Sequence, residues 1–473
     1  MTENTNRLTF TSLRTLVLVI ALIAGVHWAI LALGIPVFDR LPYWKYKLLS
    51  TPLLPGWVLI VLAAFGLAWF FYLSRFKPGT KLLLFILLGT TIQYGLAFAK
   101  GQGLNGVRDR MVSFGHAEFA KAAVEQPGDM LWVAQHYEEV AAKLKYGYIG
   151  SKPPGTLLFY MAHEQLSYAI DPAQDHVERL ENLRTFASLT WPLISYLVLI
   201  PLYYLAREIS KDPQTALLAC LYYIAVPSTA LITLHTDQAL YPLLAVLPVL
   251  CSFIAYRKDS LWLTMPCGAL LYFAVYFSFG LAAVGVFFLA PVLASKAGDA
   301  TPTMKRLARY SGGIFLGGIL LHGAAAIFLK YDIALRYAGA WANHLAWKGW
   351  ENNPETYFNA GMTNLIEFSV WIGLPLAVCF LAGLSHALGA FRGKNTDAAV
   401  YFNLSLAGIF VFLLVFGKTK AEVARLWLFL VPFVCAAVSQ FIQRRSWPHR
   451  AALSILLMQI GTTIFTLRYQ DFS

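Results

Sequence analysis

Charged residues are scarce in this chain: Asp, Glu, Lys and Arg together make up only 13% of its 473 residues. Soluble globular proteins carry about 25% charged residues, so the chain lacks the polar surface that two or three soluble domains would need. Disorder is excluded by the opposite excess, since 58% of the residues are hydrophobic and 15% are aromatic. The composition therefore predicts an all-α polytopic membrane protein.

Cysteine and nucleotide-binding motifs are also sparse. The five cysteines are scattered through apolar runs without a CxxC pair, which excludes a disulfide scaffold. Each cysteine is therefore interpreted as a small buried hydrophobic residue. No Gly-rich nucleotide-binding motif is present. The net charge of +12 does not indicate nucleic acid as a partner, because the basic residues lie mostly between hydrophobic segments rather than in one run.

Long apolar runs are what the chain has in abundance, and about 20 residues are needed to cross a hydrocarbon layer. We predict about thirteen transmembrane helices, within a range of 11–14. They lie at 15–35, 57–74, 81–99, 183–206, 215–233, 238–256, 261–278, 280–294, 311–329, 364–387, 399–416, 425–441 and 449–467.

The short loops set the orientation. With a cytoplasmic N-terminus every inner loop is basic, as the positive-inside rule requires. Two long segments, 100–182 and 330–363, then fall on the outer face. They divide the chain into N-terminal helices (1–99), a first external loop (100–182), central helices (183–329), a second external loop (330–363) and C-terminal helices (364–473).

The first external loop contains two local signals. Residues 115–126 have the pattern of an amphipathic helix, ended by a Pro-Gly pair, and we expect this helix to lie on the outer membrane surface. Lys152-Pro153-Pro154-Gly155 follows as a rigid turn. The apolar stretch 156–170 after it is too short to span, which is typical of an interfacial or re-entrant helix.

The order of these signals resembles the first periplasmic loop of the GT-C membrane glycosyltransferases, especially the protein O-mannosyltransferase and lipid A aminoarabinose transferase branch. The segments LHTDQALYPLLAVLPVL and FGKTKAEVARLWLFLVPF, residues 234–250 and 416–433, resemble later family segments. The resemblance covers about residues 100–440, so the first two helices look like an addition before the family core.

The resemblance implies an inverting transfer of a sugar from a polyprenyl phosphate or pyrophosphate to a hydroxyl of a lipid, glycan or protein acceptor. It places the enzyme in the inner or plasma membrane, among membrane lipids, with an external or periplasmic active site. A hydroxyl needs a general base to take its proton, and the anionic leaving group needs fixed cations. A lipid or glycan transporter or flippase, or an inactive scaffold of the same fold, is the alternative.

The acidic residues of this site depart from the family pattern, because the usual acidic pair is replaced by GHAEF at residues 115–119. The candidates for the base are therefore Glu118, Asp109 and His116. We favour Glu118, since Asp109 is flanked by two arginines that would weaken it as a base. The same three residues are candidate ligands for a divalent metal ion (Mg²⁺, Mn²⁺ or Zn²⁺), which the sequence leaves open.

The remaining candidates are basic or aromatic residues of the external segments. Each has a plainer alternative: a snorkelling lysine for Lys152, a helix cap for Asp237, an interfacial aromatic belt for the tryptophans, and a solvated Glu422–Arg425 pair on the late turn. The predicted phosphate-binding residues are Lys152, Lys418, Lys420, Arg425, Arg336 and His344. The predicted substrate-binding residues are Asp237, His235, Trp347, Trp350 and Tyr148.

Overall fold

The computed structural model describes residues 13–110, 114–126, 129–143, 147–231, 238–297, 303–394, 396–444 and 448–471. The described chain is almost entirely helical, because a backbone surrounded by lipid must satisfy its hydrogen bonds within each segment. The exception is a two-residue antiparallel ladder between β1 (Lys47–Leu48) and β2 (Gln470–Asp471), which joins the link after the first helix to the C-terminal end.

The prediction of an all-α polytopic protein is confirmed. Among the described residues nine helices are long and apolar enough to cross a membrane, and three shorter apolar helices accompany them. The N-terminal half comprises α1 (Leu13–Ala32), α2 (Pro55–Leu73), α3 (Pro78–Ala99), α4 (Gly103–Arg110), α5 (Phe114–Glu125), α6 (Met130–Gln135), α7 (Tyr137–Lys143), α8 (Gly147–Gly150), α9 (Gly155–Ile170), α10 (His176–Tyr196), α11 (Leu199–Ser210), α12 (Pro213–Ala225) and α13 (Pro227–Ala230).

The C-terminal half follows the same pattern, with 3₁₀ turns at Phe279–Phe288 and Leu428–Leu430 and another in the first link at Phe38–Arg40. Its helices are α14 (Tyr241–Lys258), α15 (Leu261–Phe277), α16 (Leu289–Ala297), α17 (Met304–Leu329), α18 (Ile333–Trp347), α19 (Pro354–Ile372), α20 (Leu374–Arg392), α21 (Ala398–Phe416), α22 (Val423–Leu426), α23 (Val431–Gln443) and α24 (Pro448–Tyr469).

Helix α12 lies at the centre of the bundle. Every residue from Thr215 to Ala225 is buried, and a helix that is apolar on all sides is stable only inside other helices. It packs against α11, α23, α3 and α2. Together these helices contribute to the main hydrophobic core.

The helices of the first predicted external loop pack on one another and on α10. The apolar face of α5 packs against α9 and α10 in a separate core, where the Phe119 and Tyr160 rings stack with centroids 5.5 Å apart. The prediction that the apolar face of α5 lies on the membrane surface is therefore wrong. This face packs against the apolar side of α9.

The predicted span 364–387 is interrupted at Gly373. This residue has φ +90°, a backbone conformation that favours glycine, and Pro375 follows within the first turn of α20. Helix α19 before the break buries Asn364 and Glu367, which is a polar face unlike that of a lipid-exposed helix. The break therefore separates a polar packing helix from a membrane helix.

One end of the bundle carries the predicted inner loops. Three ion pairs join its predicted inner loops: Arg257–Glu208 at 3.0 Å, Arg309–Asp259 at 2.9 Å and Arg444–Asp397 at 2.7 Å. Arg257 lies 16 residues along α14 from Tyr241, about 24 Å at 1.5 Å per residue. Lys152, Lys348 and Arg425 of the predicted external segments line a cavity at the Tyr241 end of that helix.

Helices α15 and α17 pack with their backbones in contact. A Cβ placed on Gly317 would overlap the carbonyl oxygen of Met265, and one on Gly313 would overlap the Thr264 hydroxyl. Small residues four positions apart allow this close approach between membrane helices.

We expect Gly317→Ala to destabilise the protein by about 1–3 kcal/mol, because the added methyl group forces the two helices apart. The measurement is thermal unfolding of the purified protein in detergent. Gly312→Ala on the same helix is the matched control, since nothing lies within 4 Å of its added Cβ. Equal melting temperatures for the two variants would contradict this packing.

Candidate functional site

A cavity of about 330 Å³ lies between the KPPG turn of the first predicted external loop, helix α18 of the second and the turn that follows α21. Its walls come from the KPPG turn, the start of α14, helix α18, the end of α21 and the turn that follows α21. Five residues predicted from the sequence line it: Tyr148, Lys152, His344, Trp347 and Arg425. The structure thus brings together residues that are up to 277 positions apart in the chain.

The Glu422 carboxylate is the electrostatic centre of this cavity. Its Oε1 pairs with the ammonium groups of Lys45 and Lys348, the latter at 3.1 Å. Its Oε2 accepts from the Arg425 guanidinium at 2.6 Å. The side chains of Glu422, Lys348 and Arg425 are only 12%, 7% and 11% exposed. This arrangement is therefore a buried charge network, not the solvated pair that the sequence left open.

The charges in this network determine its protonation. Burial disfavours the ionised form of Glu422, but the neighbouring Arg425, Lys348 and Lys45 outweigh it and hold the pKa of this carboxyl well below its usual range. Burial also lowers the pKa of Lys348, which Glu422 partly offsets. A carboxylate that stays ionised beside several cations is a poor proton acceptor and a good counter-ion.

The turn before α22 holds Glu422 in an unusual backbone conformation. Lys418, Ala421 and Glu422 have φ values of +44°, +59° and +64°, and such conformations cost roughly 1–2 kcal/mol per non-glycine residue. Hydrogen bonds from α19 hold the turn in place: Asn364 Nδ2 donates to Thr419 O at 2.6 Å and Ala421 N donates to Asn364 Oδ1 at 3.0 Å. The surrounding contacts therefore maintain the strain at the cavity wall.

Glu367 on α19 extends this support. Its Oε1 accepts from the Ala424 backbone N–H at 2.9 Å and from the Tyr46 hydroxyl at 2.5 Å. His344 contributes from the opposite side, with its Nε2 3.1 Å from the Lys418 carbonyl oxygen. Burial lowers the pKa of His344, so this predicted phosphate ligand is neutral near pH 7 and fixes the turn.

Lys152 is held in place by the KPPG turn. Its Nζ lies 5.1 Å from the centroid of the Phe119 ring and 5.7 Å from that of Tyr241. Its carbonyl oxygen accepts from the Tyr137 hydroxyl at 3.3 Å. Cation–ring contacts of this kind hold an ammonium group in place, and Lys152 is one of the basic residues that line the cavity.

Glu118 lies next to the cavity lining and not on it. Its Oε2 accepts from the Ile149 backbone N–H at 3.3 Å. Burial raises the pKa of Glu118 to about 6, although the N–H groups of Ile149 and Tyr148 and the Lys152 charge oppose the shift. The Glu118 side chain therefore accepts a hydrogen bond from the backbone of α8, and its pKa lies closer to neutrality than that of an ordinary carboxyl.

Aromatic side chains form part of the cavity wall. The Trp347 and Tyr148 rings meet edge to face at 4.4 Å, and Lys348 Nζ lies 4.4 Å from the centroid of the Trp347 ring. Trp341 also lines the cavity. Trp350 does not: it packs on Tyr357 at 5.1 Å.

Several other predicted residues bind elsewhere in the protein. Asp109 is 74% exposed and pairs with Arg184 at 2.7 Å. Lys418 Nζ donates to Asn352 Oδ1 at 3.0 Å, and Lys420 Nζ donates to Gly349 O at 2.5 Å. The structure does not place these side chains among the residues that line the cavity.

Arg336 joins the two external loops. Its guanidinium donates to Gly150 O at 2.6 Å and pairs with Glu138 at 3.1 Å, and its side chain is 4% exposed. The predicted phosphate ligand is therefore a buried clamp between α18 and α8.

The described residues do not form a metal centre. No group of three His, Cys, Asp or Glu side chains in the described ranges could hold a metal ion, and Asp109 and Glu118 have the separate partners given above. The side chain of His116 and the whole of His235 and Asp237 lie outside the described residues.

Sequence reasoning missed Lys45, Tyr46, Asn364 and Glu367. Glu367 carried a usable signal, since a carboxylate within a predicted apolar span is costly and marks a functional or packing role. The basic and aromatic run PYWKYK at residues 42–47 was a weaker one.

Comparison with known proteins gives no assignment: no protein-family model matches the chain, and no curated protein sequence matches it at a significant level.

We expect Arg336→Met to destabilise the fold by about 1.5–3 kcal/mol, because the variant leaves a buried carbonyl and a carboxylate without their charged donor. Lys418→Met is the comparison, because the hydrogen bond from Lys418 to Asn352 is exposed and exposed contacts of a charged side chain contribute little to stability. Thermal unfolding measures both. A stable Arg336→Met protein that had lost only anion binding would show that Arg336 is a ligand and not a clamp.

Proposed function

We propose that this protein is an integral membrane glycosyltransferase that transfers a sugar from a polyprenyl phosphate or pyrophosphate to an acceptor hydroxyl, with inversion. The observation that carries the proposal is the single cavity in which Lys152, Lys348 and Arg425 converge beside aromatic rings and an apolar wall. This combination matches the three parts of a lipid-linked sugar: phosphate, sugar and hydrocarbon chain.

The cations support an anionic leaving group. Three of them line the cavity with Glu422 as the one described carboxylate on its wall, which leaves a net charge of +2 when His344 is neutral. A phosphodiester gains negative charge as its bond to the sugar breaks, and fixed cations in a water-poor site stabilise that charge. Arg425 can also bind two phosphate oxygens at once.

The apolar wall supports a lipid donor. Phe412, Leu413 and Phe416 at the end of α21 line the cavity together with Leu426 and Phe429. Phe412 and Phe416 are exposed at the surface of the bundle, so the wall continues onto a face that lipid can contact. A polyprenyl chain could lie along this face while its phosphate reaches the cations.

Glu118 is our proposed general base. Its environment raises its pKa toward neutrality, whereas that of Glu422 keeps the second carboxyl ionised. When two carboxyls differ in pKa in this way, the one with the raised pKa can accept a proton and the one with the lowered pKa stays charged as a counter-ion. Glu118 takes the acceptor's proton, the acceptor oxygen bonds to the anomeric carbon, and the lipid phosphate leaves with the electrons of the broken bond.

We place the cavity on the outer face of the inner or plasma membrane, with the N-terminus in the cytoplasm. The support is the basic character of the loops at the opposite end of the bundle, joined by the Arg257, Arg309 and Arg444 ion pairs, because inner loops carry the excess of Lys and Arg.

A lipid transporter or flippase, or an inactive scaffold, is the second candidate. It is favoured by one observation: Glu422, the acidic residue on the described cavity wall, is fully engaged with cations, and Glu118 lies behind that wall. A cavity of this kind could bind a lipid phosphate without chemistry.

Incubating the purified protein with polyprenyl-phosphate sugars separates the two functions. We expect release of polyprenyl phosphate together with a glycosylated acceptor. Translocation of the lipid across liposomes with no cleavage of any donor would establish the transporter instead and overturn the proposal.

We expect Glu118→Gln to lower the transfer rate by about 10²–10⁴-fold with donor binding retained, because the amide keeps the shape but cannot accept a proton. The wild-type rate should fall as the pH drops below about 6, where the Glu118 carboxyl becomes protonated. The matched control is Glu125→Gln on the exposed end of the same helix. Wild-type activity of Glu118→Gln would remove Glu118 from the mechanism.

A further inference from the structure

The link between α1 and α2 contacts the cavity network, although the resemblance stated above predicts that it lies outside the family core. Residues 42–48 run along α19: the Thr363 hydroxyl donates to Pro42 O at 2.5 Å, and the Tyr46 hydroxyl donates to Glu367 at 2.5 Å. Residues Lys47 and Leu48 then pair with the C-terminal end. The link is therefore fixed at several points on either side of Lys45.

Lys45 shares one carboxylate oxygen with a cavity-lining residue. Both its ammonium group and that of Lys348 contact Glu422 Oε1, while Arg425 binds Oε2. Three cations and one carboxylate leave this cluster with a net charge of +2. One oxygen cannot neutralise two ammonium groups, so part of the Lys348 charge stays available to another anion.

The two lysines occupy different environments. The Lys348 side chain is 7% exposed and lines the cavity, whereas the Lys45 side chain is 47% exposed and does not. Lys45 thus approaches Glu422 from the solvent side and Lys348 from the cavity side. Without Lys45, Glu422 Oε1 would be satisfied by Lys348 alone, and the cluster would lose one unit of positive charge.

We propose that Lys45 is a positioning residue for anion binding in the cavity, because it competes for Glu422 and so leaves the Lys348 ammonium available to a lipid phosphate. This inference rests on the proposed function, which supplies the lipid phosphate as the ligand. The N-terminal helices accordingly belong to the site, since they carry the link that positions Lys45.

The test measures binding of undecaprenyl phosphate to the full-length protein in lipid nanodiscs. We expect Lys45→Met to weaken binding about tenfold at about 0.1 M salt, and less at about 1 M salt, where screening reduces the field of an exposed charge. Lys45→Arg should retain wild-type affinity. Lys47→Met is the matched control, because Lys47 is exposed in the same segment and pairs there through its backbone.

The double variant Lys45→Met/Glu422→Gln distinguishes this role from a structural one. Removal of the carboxylate brings the net charge of the cluster back to +2 and releases Lys348, so we expect the double variant to bind undecaprenyl phosphate more tightly than Lys45→Met does. A merely structural Lys45 would give no such rescue. A double variant as weak as Lys45→Met would overturn the proposal, even if the single variant is less stable.

Two further outcomes separate this inference from the proposed function. If the wild-type protein binds undecaprenyl phosphate and Lys45→Met binds it equally well, the Lys45 proposal fails and the function stands. If the wild-type protein does not bind it, both fail. Inorganic phosphate in a parallel titration identifies the source: equal affinity for both ligands would show a free-phosphate site instead of a lipid-phosphate site.

Discussion

The contact of one buried carboxylate with three cations is the interaction on which the cavity end of this protein depends. Glu422 joins the link after α1, helix α18 and the turn before α22 through Lys45, Lys348 and Arg425. Cations this close in a poorly solvated region would repel one another strongly without a counter-ion. The carboxylate therefore permits the cavity to concentrate positive charge that a phosphate can use.

Maintaining this carboxylate in position has a conformational cost that helix α19 offsets. Three non-glycine residues of the turn adopt positive φ, and Asn364 and Glu367 hold that turn by hydrogen bonds to its backbone. These polar residues explain why α19 and α20 are separate helices divided at Gly373. Helix α19 holds the turn by hydrogen bonds, whereas α20 is apolar enough to cross a membrane. Strain, charge and helix interruption are consequently parts of the same arrangement.

Much of the architecture could be predicted from the sequence, and the exceptions have identifiable causes. Hydrophobic runs located the nine described helices that are long and apolar enough to cross a membrane, because each run carries its own signal, whereas the predicted count of about thirteen stays a prediction. The same signal misplaced α5, whose apolar face packs on α9 instead of lipid, since hydropathy does not say which apolar surface will cover a helix. For the candidate site, Tyr148, Lys152, His344, Trp347 and Arg425 line one cavity, whereas Arg336 is consumed by internal contacts with Glu138 and Gly150.

The sequence by itself determined that this is a helical, multi-pass membrane protein, because composition and apolar run length are local properties that no distant contact can change. The tertiary structure alone decided which polar residues share a site. Lys45 and Glu422 are 377 positions apart, and no sequence pattern near either residue predicts their contact. Their meeting follows from the packing of helices across the whole bundle, and so does the charge that the cavity presents.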